Sequence, residues 1–243
     1  MNLKFPKHKG LFITATDTGV GKTLVAGAIA KILSQKGKKV GVFKPVATGC
    51  KKTKQGLISE DAEFLAHCAD SEFALDIINP ITFEIPAAPF ACEKTENKKV
   101  DFEKIATAYN YIRSKTDLVI VEGIGGIRVP ITKDIDVLSL AKAFNLPVII
   151  VAKSKLGTIN HTLLTIDAIR QSGLSLAAVL INGYDETGDL AEKTNTAIIK
   201  ELGKVEIMAV VPFDDTTSMK KFVIGQKILK PLQNINWLKI IEQ

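Results

Sequence analysis

The residues with the clearest chemical potential form the run TDTGVGKT, from Thr16 to Thr23. Gly19 and Gly21 allow backbone N–H groups to approach phosphate oxygens closely, because glycine has no Cβ atom. Lys22 can reach the β- and γ-phosphates of a nucleoside triphosphate, and the Thr23 hydroxyl can bind Mg²⁺. The usual pattern for such a P-loop, GxxxxGK[ST], has glycine where this chain has Thr16, but the phosphate-binding features remain. The run therefore predicts a nucleotide site.

Two other apolar runs end in charged residues, and an acid stands near the start of a predicted helix. Glu122 ends the run LVIVEG, where a carboxylate can hold Mg²⁺ directly or through water. Lys44 ends the run VGVFKPV, and a cation there would lie beside a γ-phosphate or simply be exposed at the strand end. Asp61 is either a third metal-site residue or a helix-capping acid.

Other kinds of chemical site are not indicated. No CxxC or HExxH motif occurs among the three cysteines and three histidines, which are Cys50, Cys68, Cys92, His8, His67 and His161. Their number and spacing argue against a disulfide framework and against a zinc site. We therefore expect no transition-metal site.

Charge and composition limit the possible partners. The 243 residues are 46% hydrophobic and 24% charged, which is typical of a folded globular chain and not of a disordered one. No run approaches the roughly 18 apolar residues of a membrane span, and we expect a cytoplasmic protein. Nine lysines and no acid lie between Asp17 and Glu60, which favours a polyanionic ligand. That ligand is either a nucleotide or a nucleic acid. Phe43 alone does not make an aromatic-interleaved basic stripe, which counts against nucleic acid, and we expect no nucleic-acid partner.

Apolar runs alternate with helix-like segments along the whole chain. The predicted strands are Leu11–Thr16, Val40–Val46, Leu118–Gly123, Pro147–Lys153, Leu176–Asn182 and Val205–Phe213. The main predicted helices are Lys22–Gln35, one capped near Ser59, Phe102–Ser114, Asp134–Phe144, Thr158–Gln171 and Leu190–Leu202, with one or two short helices at the end and a loop over Ala87–Lys99.

This alternation predicts an α/β fold with one doubly wound, mostly parallel sheet and helices on both faces. We find no linker or repeat, so residues 1–243 are expected to form a single P-loop NTPase-like domain. Ligands of such sheets bind at the carboxyl ends of the strands. The glycine-rich run, Lys44 and Glu122 all fall at such ends.

The chain resembles the dethiobiotin synthetase family, whose enzymes act in biotin synthesis. The resemblance rests on six separated features: TDTGVGKT (Thr16–Thr23), KPVATG (Lys44–Gly49), Asp61, VEGIGG (Val121–Gly126), KLGTINH (Lys155–His161) and Asn182. It covers roughly Leu11 to Pro212. The glycine-rich run alone indicates only nucleotide binding, whereas KPVATG, VEGIGG and LGTINH taken together are specific to this family.

The resemblance implies a ligase that closes 7,8-diaminopelargonate with CO₂ to dethiobiotin, consuming ATP and releasing ADP and phosphate. The reaction passes through a carbamate and a carbamic-phosphoric anhydride, so lysines and Mg²⁺ act mainly by positioning and charge stabilisation. The resemblance also implies a homodimer, with the tail of the diamine held near the subunit interface.

The resemblance assigns roles to particular residues. Lys22 and Lys44 are the implied catalytic residues, and Thr23, Asp61 and Glu122 the implied metal site. The implied ATP-binding residues are Thr18, Gly19, Val20, Gly21, Lys22, Thr23, Asn182 and Pro212. The implied substrate-binding residues are Lys44, Thr48, Gly157, Thr158 and Asn160.

Some residues depart from the family pattern, and two other functions remain open. Some members have glutamate at the position of Gly19 and histidine at that of Phe90, and the stretch Gly183–Thr196 matches poorly. A partitioning-type or iron–sulfur-carrier ATPase is one alternative, but its signature lysine is replaced here by Asp17. A non-enzymatic switch that binds nucleotide or nucleic acid is the other.

Overall fold

A six-stranded parallel sheet forms the centre of the molecule. The structure, a computed structural model, describes residues 3–54 and 56–242. Its strands are β1 (Gly10–Ala15), β2 (Val40–Phe43), β3 (Val46–Ala47), β4 (Lys51–Thr53), β5 (Gly56–Ile58), β6 (Ile81–Thr82), β7 (Leu118–Gly126), β8 (Val148–Lys153), β9 (Leu176–Tyr184) and β10 (Ile207–Pro212). The main sheet has the order β10-β9-β8-β1-β7-β2, and every neighbouring pair in it is parallel.

The helices of the described residues are mostly those that the sequence predicts. They are α1 (Lys22–Gln35), α2 (Glu60–Cys68), α3 (Leu75–Ile78), α4 (Pro89–Thr95), α5 (Phe102–Arg113), α6 (Val137–Phe144), α7 (Thr158–Gln171), α8 (Leu190–Gly203), a 3₁₀ turn at Met219–Lys221, α9 (Gln226–Gln233) and α10 (Trp237–Ile241). Ser59 and Asp101 cap α2 and α5 by accepting hydrogen bonds from the backbone N–H groups of Ala62 and Lys104.

Both faces of the sheet are covered by helices. Alternate residues of β1 belong to two different cores: Leu11 and Ile13 pack with α1, α2, α9 and α10, whereas Phe12 packs with α5, α6, α7 and α8. Strands that are buried on both faces are continuously apolar, as β1 and β8 are. The prediction of a mostly parallel sheet with helices on both faces is therefore confirmed.

Three local predictions are wrong or incomplete. The loop predicted over Ala87–Lys99 contains α4, because Pro89 occupies the first helical turn, where its missing N–H costs no hydrogen bond. The strand predicted over Val40–Val46 breaks after Phe43. The hairpin of β4 and β5 was not predicted, since its residues are largely exposed and show no apolar pattern.

Candidate active site

The loop between β1 and α1 presents backbone N–H groups at the carboxyl edge of the sheet. Gly19 and Gly21 have φ angles of 70° and 89°, which are left-handed values that favour glycine. Gly21 directly precedes α1, and no described side chain caps that helix. The first N–H groups of α1 have no partner within the helix, and its dipole favours an anion at this end. The local structure is thus that of a phosphate site.

Four charged side chains come together in one cluster beside this loop. Lys22, Lys44 and Glu122 are buried, and the side chain of Asp61 is 38% exposed. The Lys44 ammonium lies 2.7 Å from Glu122 Oε1 and 2.8 Å from Asp61 Oδ2, and it also donates to the Gly123 carbonyl at 3.2 Å. The Lys22 ammonium lies 3.3 Å from the same Glu122 oxygen. Lys44 is 2% exposed and Glu122 is fully buried. Of the two interpretations of Lys44, an exposed strand-end lysine is therefore excluded.

Each member of the cluster comes from a different element. Lys22 begins α1, Lys44 follows β2, Asp61 lies in the first turn of α2, and Glu122 belongs to β7. Ser59, and not Asp61, is the residue that caps α2. The side chain of Asp61 is consequently available to pair with Lys44.

The two lysines have different electrostatic surroundings. Burial by itself would lower the pKa of Lys44, but the Asp61 and Glu122 carboxylates together outweigh it and raise that pKa above its usual value. The Lys44 ammonium in turn lowers the pKa of Asp61 to about 2. Burial, followed by the neighbouring Lys44 ammonium, lowers the pKa of Lys22, although Glu122 opposes the shift. Lys44, which has two carboxylate partners, is therefore held as a cation. Among the described residues, Lys22 forms an ion pair with one of these carboxylates only, that of Glu122.

The oxygen atoms in the cluster fit a magnesium ion that is bound together with nucleotide. The Thr23 hydroxyl donates to Glu122 Oε1 at 2.8 Å, and Glu122 Oε2 is buried without a hydrogen-bond partner among the described residues. Within residues 3–54 and 56–242, no group of three or more histidine, cysteine, aspartate and glutamate side chains could hold a metal. Mg²⁺ usually takes one or two carboxylates and fills its shell with phosphate oxygens and water, so two carboxylates and a hydroxyl suffice.

Asn182, at the carboxyl end of β9, contacts the phosphate-site loop directly. Its side-chain amide donates to the Val20 carbonyl at 2.9 Å, and its Oδ1 atom is buried without a partner among the described residues. A Cβ atom on Gly21 would lie only 2.1 Å from Asn182 Nδ2. Asn182 therefore lies beside the loop, and its Oδ1 atom accepts no hydrogen bond from the described residues.

Pro212 ends β10 and lies opposite Tyr184 in the strand register. It borders a cavity of about 760 Å³ together with Tyr184, Phe213 and Lys227. The cavity is thus bordered by the carboxyl ends of β9 and β10.

The residues predicted to hold the substrate lie at two places. Gly157 has a φ angle of 92° and directly precedes α7, whose first residue, Thr158, is buried, while Asn160 is exposed. Thr18, which is predicted to bind ATP, is exposed and borders a cavity of about 400 Å³ with His161 and Leu164 of α7, so the phosphate-site loop and α7 share this space. Thr48 is half-buried just beyond β3.

A buried polar network supports the loop before α7. Ser154 Oγ contacts Glu192 Oε1 at 2.7 Å, and the Asn195 side chain donates to the Ser154 carbonyl at 2.7 Å. Glu192 and Asn195 belong to the stretch Gly183–Thr196, which the family resemblance leaves unassigned. The sequence signal was faint, because polar residues on a surface helix are ordinarily exposed.

The chain is similar to proteins of known family. A family model described as AAA domain matches residues 9–221. The ATP-dependent dethiobiotin synthetase BioD of Thermodesulfovibrio yellowstonii is 39% identical over 229 residues, covering 91% of this chain and 95% of that protein. The Bacillus subtilis protein of the same name is 39% identical over 84% of this chain and 87% of its own length, and that of Methanococcus vannielii is 37% identical over 83% and 92%.

Solved structures extend the similarity to the fold. The septum site-determining protein MinD of Pyrococcus horikoshii, complexed with Mg-ADP, superposes with a TM-score of 0.59 over 97% of this chain and 99% of that one. Its sequence is only 16% identical, so this likeness concerns the P-loop NTPase-like fold alone. The sequence identities to the three dethiobiotin synthetases are far higher than this and extend over most of the chain. The chain therefore belongs to the ATP-dependent dethiobiotin synthetase family.

Proposed function

We propose that this chain converts 7,8-diaminopelargonate, CO₂ and ATP into dethiobiotin, ADP and phosphate. The observation that carries the proposal is the buried Lys44, held as a cation between Asp61 and Glu122 beside a phosphate-binding loop. Every intermediate of this ring closure is anionic, and fixed positive charge in a buried site stabilises such species without reorganisation.

The reaction begins at one amine of the substrate. That amine attacks CO₂ and loses a proton, which gives a carbamate anion. Alkyl amines resemble lysine, whose pKa is about 10.4, so the amine is mostly protonated and unreactive in water. The Lys44 ammonium disfavours a second positive charge nearby and stabilises the carbamate once it has formed.

The next two steps transfer and then expel phosphate. A carbamate oxygen attacks the γ-phosphorus as the bond to ADP breaks, giving the mixed anhydride. The second amine then attacks the carbonyl carbon, loses its proton and displaces inorganic phosphate to close the ring. We assign Lys22 and the N–H groups of Thr18–Gly21 to the phosphates of ATP, and Lys44 to the carbamate and the transferring phosphoryl group.

Thr23, Asp61 and Glu122 are the residues that would hold Mg²⁺. The ion would add positive charge to offset the phosphate oxygens. We expect some of these protein contacts to run through water, because Mg²⁺ gives up its hydration shell reluctantly.

The remaining assignments concern the two ends of the bound ligands. We assign the nucleobase to the unused acceptor of Asn182 and to the backbone at Pro212.

We assign the carboxylate tail of the diamine to Gly157, Thr158 and Asn160 at the start of α7, with Thr48 near the reacting amines. The working form is proposed to be a cytoplasmic homodimer of one-domain subunits.

Mass spectrometry tests the proposal. Purified protein is incubated with 7,8-diaminopelargonate, ¹³C-bicarbonate, Mg²⁺ and ATP, and parallel samples omit the diamine or contain EDTA. We expect dethiobiotin carrying one ¹³C atom only in the complete mixture, with one ADP formed per product. ATP hydrolysis that proceeds equally without the diamine, and with no labelled product, would instead support a switch ATPase.

A further inference from the structure

The backbone of Lys44 lies outside the main sheet. The pairing of β2 with β7 ends at Phe43 and Val121, one residue before Lys44. The next residue, Pro45, has no N–H group, and a residue before proline is restricted to extended backbone. The sheet therefore does not fix the peptide groups from which the Lys44 side chain extends.

The segment at the end of α3 provides the missing hydrogen bonds. The Lys44 N–H donates to the Ile78 carbonyl at 2.8 Å. The side-chain amide of Asn79 donates to the Lys44 carbonyl at 2.6 Å and to the Ile81 carbonyl at 3.2 Å. Both peptide groups of Lys44 are thus bound by residues 78 and 79, and Asn79 also ties them to β6.

Burying the Asn79 side chain costs free energy, because one of its two polar atoms makes no hydrogen bond in the described part of the chain. It is only 4% exposed, and its Oδ1 atom is buried without a hydrogen-bond partner among the described residues. A buried amide that leaves its acceptor unsatisfied is destabilising relative to an apolar side chain of similar size. The hydrogen bonds that the Asn79 side chain makes to described residues both run from its Nδ2 atom to main-chain carbonyls, one of them that of Lys44.

We propose that Asn79 is a positioning residue for the ring-closure reaction, acting through the main chain of Lys44 to hold its ammonium between Asp61 and Glu122. The inference rests on the proposed function. Misplacing a reactive group by about 1 Å can cost on the order of 100-fold in rate. Loss of the Asn79 bond would therefore reduce turnover while leaving the phosphate-binding loop intact.

A double-mutant cycle with Lys44 separates positioning from a general structural role. Asn79→Ala and Asn79→Leu each remove the donor without adding a charge, and the second keeps the branched side-chain shape. Each is made in the wild-type and in the Lys44→Ala background, and single-turnover formation of dethiobiotin is measured beside ATP affinity by calorimetry. Trp237→Phe is the matched control, because it also deletes a buried donor to a main-chain carbonyl, that of Leu232, within the C-terminal helices.

We expect the Asn79 variants to lower the single-turnover rate by about 10- to 100-fold, with ATP affinity changed less than about threefold. In the Lys44→Ala background the same substitutions should change the rate by less than about twofold, since Lys44 is then no longer there to be positioned. Trp237→Phe should lower thermal stability without this pattern.

Two outcomes would overturn the inference. One is an Asn79 substitution that slows both backgrounds equally or weakens ATP binding as much as turnover. The other is failure of both Asn79 variants to fold at temperatures where Trp237→Phe remains folded, which would make the role of Asn79 structural. If the wild-type chain makes no dethiobiotin, the proposed function itself has failed, and that result is read from the wild-type sample alone.

Discussion

Lys22 and Lys44 share one oxygen of Glu122, yet we expect them to have separate tasks. Lys44 forms an ion pair with a second carboxylate, that of Asp61. Lys22 is paired with Glu122, and its remaining partner would be a phosphate group of ATP. We predict that Lys44→Ala leaves ATP affinity nearly unchanged but lowers turnover by about 10²–10³-fold, the scale for losing one electrostatic stabiliser. Lys22→Ala should weaken ATP binding strongly. Calorimetry with ATP, beside single-turnover product formation, measures both effects.

Lys44→Gln is the informative control for this division of tasks. A neutral amide keeps hydrogen bonding but supplies no charge, so it should not restore turnover. If Lys44→Gln turns over normally, or if Lys44→Ala loses ATP affinity as severely as Lys22→Ala, the two lysines do not act as proposed.

The three cysteines are predicted to be unreactive in the folded protein. Burial raises the pKa of Cys50 to about 11 and that of Cys68 to about 12, and it also raises the pKa of Cys92. Because only the thiolate reacts, and a free cysteine has a pKa of about 8.5, Cys50 at pH 8 should react with a disulfide reagent more than about 100-fold more slowly than free cysteine. The rate should still rise with pH above 9, while guanidinium should release three fast-reacting thiols. Fast labelling of the folded protein at pH 8 would contradict this expectation.

The sequence identifies residues that carry chemistry at strand ends better than residues that act through the backbone. Lys44 and Glu122 follow apolar runs, and the carboxyl ends of parallel strands meet at one edge, so their proximity is predictable. Asn79 and Glu192 give no such signal. Their significance depends on contacts with Lys44 and Ser154, which are 35 and 38 positions away and are created only by the fold.

At the scale of elements, Gly21 at the start of α1 packs directly against Asn182 near the end of β9, so a larger residue at position 21 would displace Asn182. We predict that Gly21→Ala weakens ATP binding by at least about tenfold, because the new methyl group meets Asn182 Nδ2 at 2.1 Å and the φ angle of 89° disfavours alanine. Asn182 would have to move away from the loop, and with it from the nucleobase that we assign to its side chain. Calorimetric titration with ATP measures the change.

Gly37→Ala is the matched control for this prediction. Gly37 follows the other end of α1, has a φ angle of 78°, and would have nothing within 4 Å of an added Cβ. It therefore carries the backbone strain without the collision and should lower stability while preserving ATP affinity. Equal loss of affinity in both variants would show that strain in α1, and not contact with Asn182, determines the result.

Helix and strand positions follow well from the sequence where burial is periodic, and poorly where it is not. Helices α1, α7 and α8 lie within one or two residues of their predicted limits, because apolar residues mark their buried faces. Helix α4 does not follow from the sequence, because proline ordinarily indicates a loop, whereas Pro89 occupies the first turn of this helix. The break after Phe43 was missed because Val46 continues the apolar pattern while pairing with Ile81 in a different sheet.

At the scale of the whole molecule, the lysines of the segment that runs from Asp17 to Glu60 lie in different surroundings in the folded protein. Lys22 and Lys44 point into the active-site cluster, and Lys51 forms an ion pair with Glu60. The segment therefore supplies charge to the site and does not remain one continuous exposed stripe. No helix among residues 3–54 and 56–242 is long and apolar enough to cross a membrane.

Exposed leucines near the start of α7 favour a subunit interface there. Leu156, just before Gly157, is 86% exposed, and Leu164 on α7 is 61% exposed. Interaction surfaces commonly expose large apolar side chains of this kind. This surface adjoins the residues to which we assign the tail of the diamine, so assembly and substrate binding are expected to be linked.

We predict that Leu164→Glu converts the proposed two-fold homodimer into monomers and raises the KM for 7,8-diaminopelargonate more than that for ATP. In a two-fold dimer the same patch meets its own copy, so one substitution places two carboxylates in the interface. Leu202→Glu is the matched control, since Leu202 is also 61% exposed but lies near the far end of α8. Sedimentation velocity at assay concentration measures the assembly, and steady-state kinetics measure both KM values. A wild-type chain that is monomeric and fully active at that concentration would exclude the dimer, and equal dissociation by both glutamates would exclude α7 as its specific interface.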